Sequence, residues 1–447
     1  EMIGNTPMIE LTRFDTGPCR LFAKMESQNP GQSIKDRIAV RMIEVAEQDG
    51  RLQPGGIIVE GTAGNTGIAL ALIARQKGYD VVVVVPDKMS QAKISHLRAL
   101  GAEVILTRSD VEKGHPEYYQ DVAARIASER PNAFFINQFG NEANPDAHSM
   151  TTGPEIWEQL EGNVDAVVVG VGSGGTLSGV GRCLRERNPD VEIILADPAG
   201  SILAPLVNEG RHVQPGSWLV EGIGEDFVPS ICDLDLVTKA YAIDDREAFH
   251  TIRELLKAEG VLAGTSVGVL LAAALRYCRE QTGAKRVVTF ICDSGAKYID
   301  KVFNDFWMLD QGLLDREKHG DLRDLIARQH QRHEDITIRP STPLLQAFKT
   351  MRLYDVSQMV VLEDERVAGI IDESDLLMAV THDASSFHRP VSDFMTRRIE
   401  TLPPTASVHD LMPIFKADRV AIISDGDRFY GLITKIDLIN YLRQQLA

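Results

Sequence analysis

Twice in its first half this chain runs an apolar stretch into a cluster of glycines and straight out into a second apolar stretch of helical spacing. "GGIIVEGTAGNTGIALALIARQKG" (Gly55–Gly78) and "DAVVVGVGSGGTLSGVGRCLRE" (Asp165–Glu186) both have this form. Strand, glycine turn and helix in that order is the unit of a parallel sheet, because a parallel strand is regained only through a crossover. The alternation continues elsewhere. "DVVVVVP" is a buried strand, "SQAKISHLRALG" a helix stopped by Gly101, and "AEVILT" and "EIILADP" are further strands. Over residues 1–308 this predicts an α/β domain with a largely parallel sheet.

At 447 residues the chain has room for roughly three compact units. Its 44% apolar and 25% charged content is that of an ordinary globular protein with ample material for cores. A net charge of −17 repels nucleic acid and anionic membranes. Apolar runs such as Val81–Pro86 are far too short to span a bilayer, and the N-terminus has no signal-peptide pattern. The five cysteines (Cys19, Cys183, Cys232, Cys278 and Cys292) are odd in number, widely spaced and without a CxxC pair. That points to a reducing cytoplasm and away from a disulfide frame or structural zinc.

Beyond Met308 the texture changes. Residues 309–333 are polar and charged, with a few apolar residues at helical spacing, and read as a linker helix. His330 and His333 there fit either a metal pair on one helix face or a solvated surface. The remainder repeats itself. "VAGIIDESDLLMAV" (Val367–Val380) aligns without gaps with "FYGLITKIDLINYL" (Phe429–Leu442), pairing Gly369 with Gly431 and Asp375 with Asp437 at a constant offset of 62. Each copy predicts strand, turn, strand and an acid-capped helix. Two half-modules, 334–390 and 391–447, then pack about a pseudo-two-fold.

Three stretches of the first domain carry chemistry. In "NPGQSIKDRIAV" (Asn29–Val40) a Pro-Gly turn precedes a helix with a buried stripe of Ile34, Ile38, Met42 and Ala46. Ser33 and Asp36 have the S-x-x-D spacing of a cap, which puts Lys35 in the first turn. Unpaired N–H groups, the positive helix end and nearby Arg37 would all lower the pKa of that amine toward the neutral form a Schiff base needs. Taken alone, the same residues fit a solvated lysine. In "EGTAGNTGIALA" the glycines, Thr62, Asn65, Thr66 and the following helix N-terminus form either a carboxylate or phosphate cradle or an ordinary β-α turn. In "GVGSGGT" (Gly170–Thr176), Gly170, Gly172 and Gly175 satisfy the dinucleotide fingerprint, with Asp197 ending the next strand where a ribose-binding acid would lie. The added Gly174 and Thr176 suit a single phosphate monoester as well. An imine-forming lysine, a carboxylate loop and a phosphate loop together match pyridoxal phosphate acting on an amino acid.

"NPGQSIKDRIA", "EGTAGNTGIALA", "GVGSGGTLSG", "EGIGEDFVP" and "CDSGAKY" follow one another in the order found in fold-type II pyridoxal-phosphate enzymes. Over residues 1–308 the chain resembles that family, in its cysteine synthase and cystathionine β-synthase branch. The tail resembles a tandem CBS-domain (Bateman) module. The resemblance implies two parallel-sheet α/β subdomains followed by the CBS pair, with pyridoxal 5'-phosphate as cofactor. It makes Lys35 the lysine that binds the cofactor and moves the substrate's α-proton, and Asn65 the partner of the ring hydroxyl. Gly172, Ser173, Gly174, Gly175 and Thr176 become the phosphate cradle, and Ser294 the partner of the pyridine nitrogen. A neutral serine there cannot hold that nitrogen protonated, which suits β-elimination. Cys292 and Asp293 beside it receive no role. The substrate carboxylate would meet Thr62, Ala63, Thr66 and Gln138. Ala63 stands where the family has a serine, so one hydroxyl beside the substrate is lost.

The activity so implied is β-replacement on L-serine, condensing it with L-homocysteine to cystathionine, with hydrogen sulfide release from cysteine as a side reaction. Cysteine synthesis from O-acetylserine and sulfide is the alternative. "GIGEDF" with Asp226, and the CBS tail, favour the first, while Glu225 replaces an aromatic of some relatives. A nucleotide sensor that has lost activity rests on Ala63 alone, and the NAD reading recedes once all five motifs are weighed. Heme-bearing relatives carry a Cys/His extension, and this chain opens at "EMIGNTP", so no heme is expected. A homodimer or higher homo-oligomer is expected. In CBS pairs a Thr/Ser-x-x-Asp stretch reads an adenosine ribose. Thr434 and Asp437 fit it, and Asp372 and Asp375 fit less well. S-adenosylmethionine or an adenine nucleotide is the implied ligand, with a ligand-free pair serving dimerisation as the alternative.

Overall fold

The computed structural model describes residues 2–62, 64–87, 89, 91–111, 114–330 and 335–446. It divides into two units, Glu1–Asn304 and Asp305–Ala447. The first unit holds two sheets. A four-stranded parallel sheet runs in the order Glu103–Thr107, Asp80–Pro86, Ile57–Gly61, Ala133–Phe135. A six-stranded sheet runs Met8–Glu10, Arg20–Lys24, Arg286–Phe290, Ala166–Val169, Glu192–Pro198, Val237–Ile243. It is parallel throughout except for Met8–Glu10, which pairs antiparallel with Arg20–Lys24 at the edge. The expected α/β class with two parallel-sheet subdomains is therefore what forms.

Helix Lys35–Gln48 follows Arg20–Lys24 and packs against the four-stranded sheet. Ile38, Met42, Ile43 and Ala46 share a cluster with Ile58, Val81, Val83 and the buried face of helix Asn65–Lys77. Each large apolar side chain buried there contributes roughly 1.5–3 kcal/mol. The helix start differs from the S-x-x-D expectation. Ser33 Oγ lies 3.3 Å from Lys35 N and makes no cap bond to the third turn residue, and Asp36 instead turns back to accept the Gly31 N–H. The acid ties the Pro-Gly turn rather than the cap.

In the second unit each copy of the repeat forms a three-stranded sheet with two helices. The first comprises Thr337–Ile338, Leu344–Tyr354, Gln358–Glu363, Arg366–Asp372 and Glu373–His382. The second comprises Thr401–Leu402, Val408–Lys416, Ala421–Ser424, Phe429–Ile433 and Lys435–Leu446. The internal symmetry reaches the hydrogen bonds. Val361 pairs with Gly369 and Ile423 with Gly431, and both hairpins shift register at that step. Val360 and Leu362 of one copy meet Ile422 and Phe429 of the other in a shared cluster.

The stretch read as a linker helix holds, among the described residues, the end of helix Asp305–Asp310 and a short turn, Leu322–Leu325, rather than one helix. Leu322, Leu325 and Ile326 are buried in the core of the second copy, with Leu411, Ile414 and Ile433. Three apolar residues within one turn are too few to show helical periodicity, and their partners lie nearly a hundred positions downstream. His330 hydrogen-bonds Asp335 and Glu365, and its ring lies 5.2 Å from that of Phe429. His333 lies outside the described residues. Among the described residues no cluster of three His, Cys, Asp or Glu could hold a metal, and no helix is long and apolar enough to cross a membrane.

Candidate active site

Every candidate catalytic residue lies just past the carboxyl end of a parallel strand, where open α/β sheets bind ligands. Strands Arg20–Lys24, Arg286–Phe290 and Ala166–Val169 are neighbours, and their exits carry Lys35, Ser294 and the loop Gly172–Thr176. The first two exits are laced together. Ile34 N donates to Cys292 O (2.8 Å), Ser294 N donates to Gln32 O (3.2 Å), and Ser33 bridges Asp293. The Lys35 turn and the "CDSG" segment, remote in sequence, thus form one continuous wall.

Lys35 is half-buried, and its pKa is lowered, mainly by loss of solvent. The carboxylates of Asp293 and Glu225 oppose that effect. Arg37 was expected to assist, but it faces elsewhere. Its guanidinium is held by both carboxylate oxygens of Glu26 and of Glu155. Burial pushes the Cys292 thiol up to about 12, so it stays neutral beside the lysine.

The phosphate loop feeds helix Gly175–Arg187, whose first N–H groups have no intrahelical acceptors. Gly174 has φ +87, open to glycine and strained for other residues. A Cβ on Gly175 would lie 1.8 Å from Asn144 Oδ1. Asn144, itself 1% exposed, donates to Ser173 Oγ (2.9 Å) and to the Gln138 carbonyl (2.8 Å). Thr176 Oγ1 hydrogen-bonds His148, whose imidazole is kept neutral by burial and by nearby Arg37 and Lys35. The result is a cradle of N–H and hydroxyl donors, which fits a phosphate monoester. The dinucleotide alternative loses its acid. Asp197 is fully buried and accepts the Ala204 N–H, serving the next helix.

At the start of helix Asn65–Lys77, Thr66 Oγ1 donates to Gln138 Oε1 (2.7 Å), and the Thr62 hydroxyl accepts from Gly64 N (3.4 Å). These three candidate substrate residues are brought together, and Ala63 lies outside the described residues. Asn65, at the start of its helix, donates to Asp293 Oδ2 (2.8 Å) on the opposite wall. Ser294 Oγ caps the short turn Gly295–Tyr298.

Residues 1–293 match the family described as pyridoxal-phosphate dependent enzyme, and residues 324–382 and 391–444 each match the CBS domain. The chain is 36% identical to cystathionine β-synthase of Dictyostelium discoideum, over 98% of this chain and 91% of that protein. This chain belongs to the cystathionine β-synthase family of pyridoxal-phosphate dependent enzymes. Within that family it is also 40% identical to an O-acetylserine dependent cystathionine β-synthase of Bacillus subtilis, over 67% of this chain and 95% of that one. A solved hydrogen sulfide-producing enzyme from Fusobacterium nucleatum superposes with a TM-score of 0.62 at 37% identity, covering 66% of this chain and 97% of its own.

Cystathionine β-synthase family members take pyridoxal phosphate, and the cradle, Lys35, Asn65 and Ser294 fit that cofactor. Three residues around it escaped the sequence reading. Asn144 and His148 stand four apart in "NPDAHSM", one helical turn, which was a usable signal. Glu60, before the substrate loop, is 1% exposed and accepts from the N–H groups of Asn137 and Gln138. In the CBS pair Thr434 N and Oγ1 both donate to Asp437 Oδ2, and Asp437 N donates back to Thr434 Oγ1 (3.4 Å). That is a helix-capping arrangement, repeated by Asp372 and Asp375 in the first copy.

Proposed function

We propose that the enzyme performs β-replacement on L-serine, joining it to L-homocysteine to give cystathionine. The observation that carries this reading is the convergence of Lys35, Ser294 and the phosphate loop at the ends of three adjacent strands. Bound pyridoxal phosphate supplies the electron sink for the substrate's α-carbon. Gly172, Ser173, Gly174, Gly175 and Thr176 would hold its phosphate, Asn65 its ring hydroxyl and Ser294 its ring nitrogen. Thr62, Thr66, Gln138 and the N-terminal N–H groups of helix Asn65–Lys77 would orient the substrate carboxylate. Lys35, depressed in pKa by burial, takes the α-proton at Nζ and returns a proton to the departing hydroxyl, which leaves as water. The homocysteine thiol then gives its proton to Lys35 as its sulfur bonds to the β-carbon, and Lys35 Nζ delivers that proton to the α-carbon.

The Bacillus subtilis relative supports a second reading of the first substrate, with O-acetylserine in place of serine. Rates with serine or O-acetylserine, each paired with homocysteine or sulfide, separate the cases. Faster turnover of O-acetylserine with sulfide than of any homocysteine pairing would make the enzyme a cysteine synthase. Hydrogen sulfide release from cysteine is a side activity of the same site. For the CBS pair, S-adenosylmethionine or an adenine nucleotide is the proposed ligand, its ribose read by Thr434 and Asp437. An unchanged rate and melting temperature with both ligands would leave the pair a packing module.

A further inference from the structure

Lys297 belongs to a motif, "CDSGAKY", in which only the serine has so far received a role. Its side chain turns inward, and the residue is 8% exposed. Nζ donates to three oxygens: Asn65 Oδ1 at 2.7 Å, the Gly31 carbonyl at 3.0 Å and the Gln32 carbonyl at 3.3 Å. Two of these belong to the turn that delivers Lys35. The third belongs to the residue assigned to the cofactor's ring hydroxyl.

The chemistry of the neighbours fixes how the Asn65 amide is turned. An ammonium has three donors and no acceptor, so the amide atom facing Lys297 is the oxygen. On the other side, Asp293 Oδ2 accepts from Asn65 Nδ2 at 2.8 Å and from the Tyr298 hydroxyl at 2.7 Å. With the carbonyl committed to Lys297 and one N–H to Asp293, the second N–H of Asn65, which also neighbours the Tyr298 hydroxyl, is the donor left for the cofactor. Were the amide flipped, a carbonyl oxygen would face the cofactor's phenolic oxygen, acceptor against acceptor.

We propose that Lys297 is a positioning residue that locks the Asn65 amide with its donor toward the cofactor and ties it to the turn bearing Lys35. The proposal rests on the assignment of Asn65 to the ring hydroxyl. It makes the two side chains one unit, so their removal should not be additive.

The test is a double-variant cycle on the full-length protein, reading pyridoxal phosphate affinity by titration of the cofactor-free enzyme and the pH midpoint of the holoenzyme's visible band. Lys297→Met and Asn65→Ala are each expected to weaken cofactor binding roughly tenfold, the range for a lost hydrogen bond to a charged group. The double variant should lose no more than either alone, and Lys297→Arg should recover most of the affinity and the band. If Lys297→Met lowers the melting temperature while affinity and band stay wild type, the role is structural and the proposal fails. It fails equally if the two losses add. A wild-type Asn65→Ala protein would remove the ring-hydroxyl assignment itself, whereas a defective Asn65→Ala beside a normal Lys297→Met would remove only the proposal. Should Lys297→Met not accumulate, Lys297→Gln, uncharged but still a donor, is read by the same criteria.

Discussion

Replacing Glu60 with glutamine should change how stability depends on pH, and by a predictable amount. Glu60 ends the buried centre of strand Ile57–Gly61, directly beneath the substrate loop, and burial pushes its carboxyl up to about 8. Backbone N–H groups of Asn137 and Gln138 and the Gln138 side chain pull the other way without offsetting the burial. Oε2 has no hydrogen-bond partner among the described residues. The folded protein therefore binds this proton more tightly than the unfolded chain, whose carboxyl titrates near 4.5. Stability from this group is fully present below pH 4.5 and is lost as pH rises through 8. At about 1.4 kcal/mol per pH unit the whole swing is about 5 kcal/mol, an upper bound. Glutamine mimics the protonated acid and does not titrate. Glu60→Gln should lie within about 1–2 kcal/mol of wild type at pH 5 and be more stable by about 3 kcal/mol at pH 9. Asp36 and Asp197, each raised to about 6, shape the curves at lower pH in both proteins and cancel in the difference. Urea unfolding between pH 5 and 9, followed by tryptophan fluorescence, measures it. Trp157 and Trp218, two of the three tryptophans, lie in this unit. Parallel curves for the two proteins would refute the reasoning.

Three further outcomes are expected. Lys35→Ala should fold with an unchanged circular dichroism spectrum yet lose at least about a thousandfold in β-replacement rate, as the proton carrier is gone. Gly175→Ala should lose cofactor affinity by titration and about 1–3 kcal/mol of stability, because the new Cβ collides with Asn144 at 1.8 Å. Leu325→Ala should destabilise the second unit by about 2–4 kcal/mol in calorimetry, although its stretch looks like a linker, since Leu325 fills the core of the second CBS copy.

The parts of the site that sequence made legible are those built within one turn of chain. Strand, glycines and helix N-terminus form a donor-rich loop from contiguous residues, so the turn in "GVGSGGT" could be read directly. The Lys35 turn was legible as a turn, but the reason for its lowered pKa was not. Arg37 and the helix end were the local candidates, and burial by segments from the far end of the unit is what acts. Lys297 and Glu60 stayed hidden because each works on a residue that only the fold brings near. Asp197 shows the converse: its spacing suited a ribose, and one hydrogen bond to Ala204 reassigns it to a helix. The tandem repeat was plain from its constant offset, whereas the contribution of Leu322, Leu325 and Ile326 to one copy required tertiary contact to see.

The pairing of strand Arg20–Lys24 with Arg286–Phe290 has a consequence for synthesis. The wall that shields Lys35, Cys292 to Ser294, leaves the ribosome some 257 residues after the lysine itself, near the end of the catalytic unit. Until then Lys35 is an ordinary amine on an unfinished surface, without the burial that makes it nucleophilic. Burial of Lys35 and completion of the catalytic unit are therefore one event.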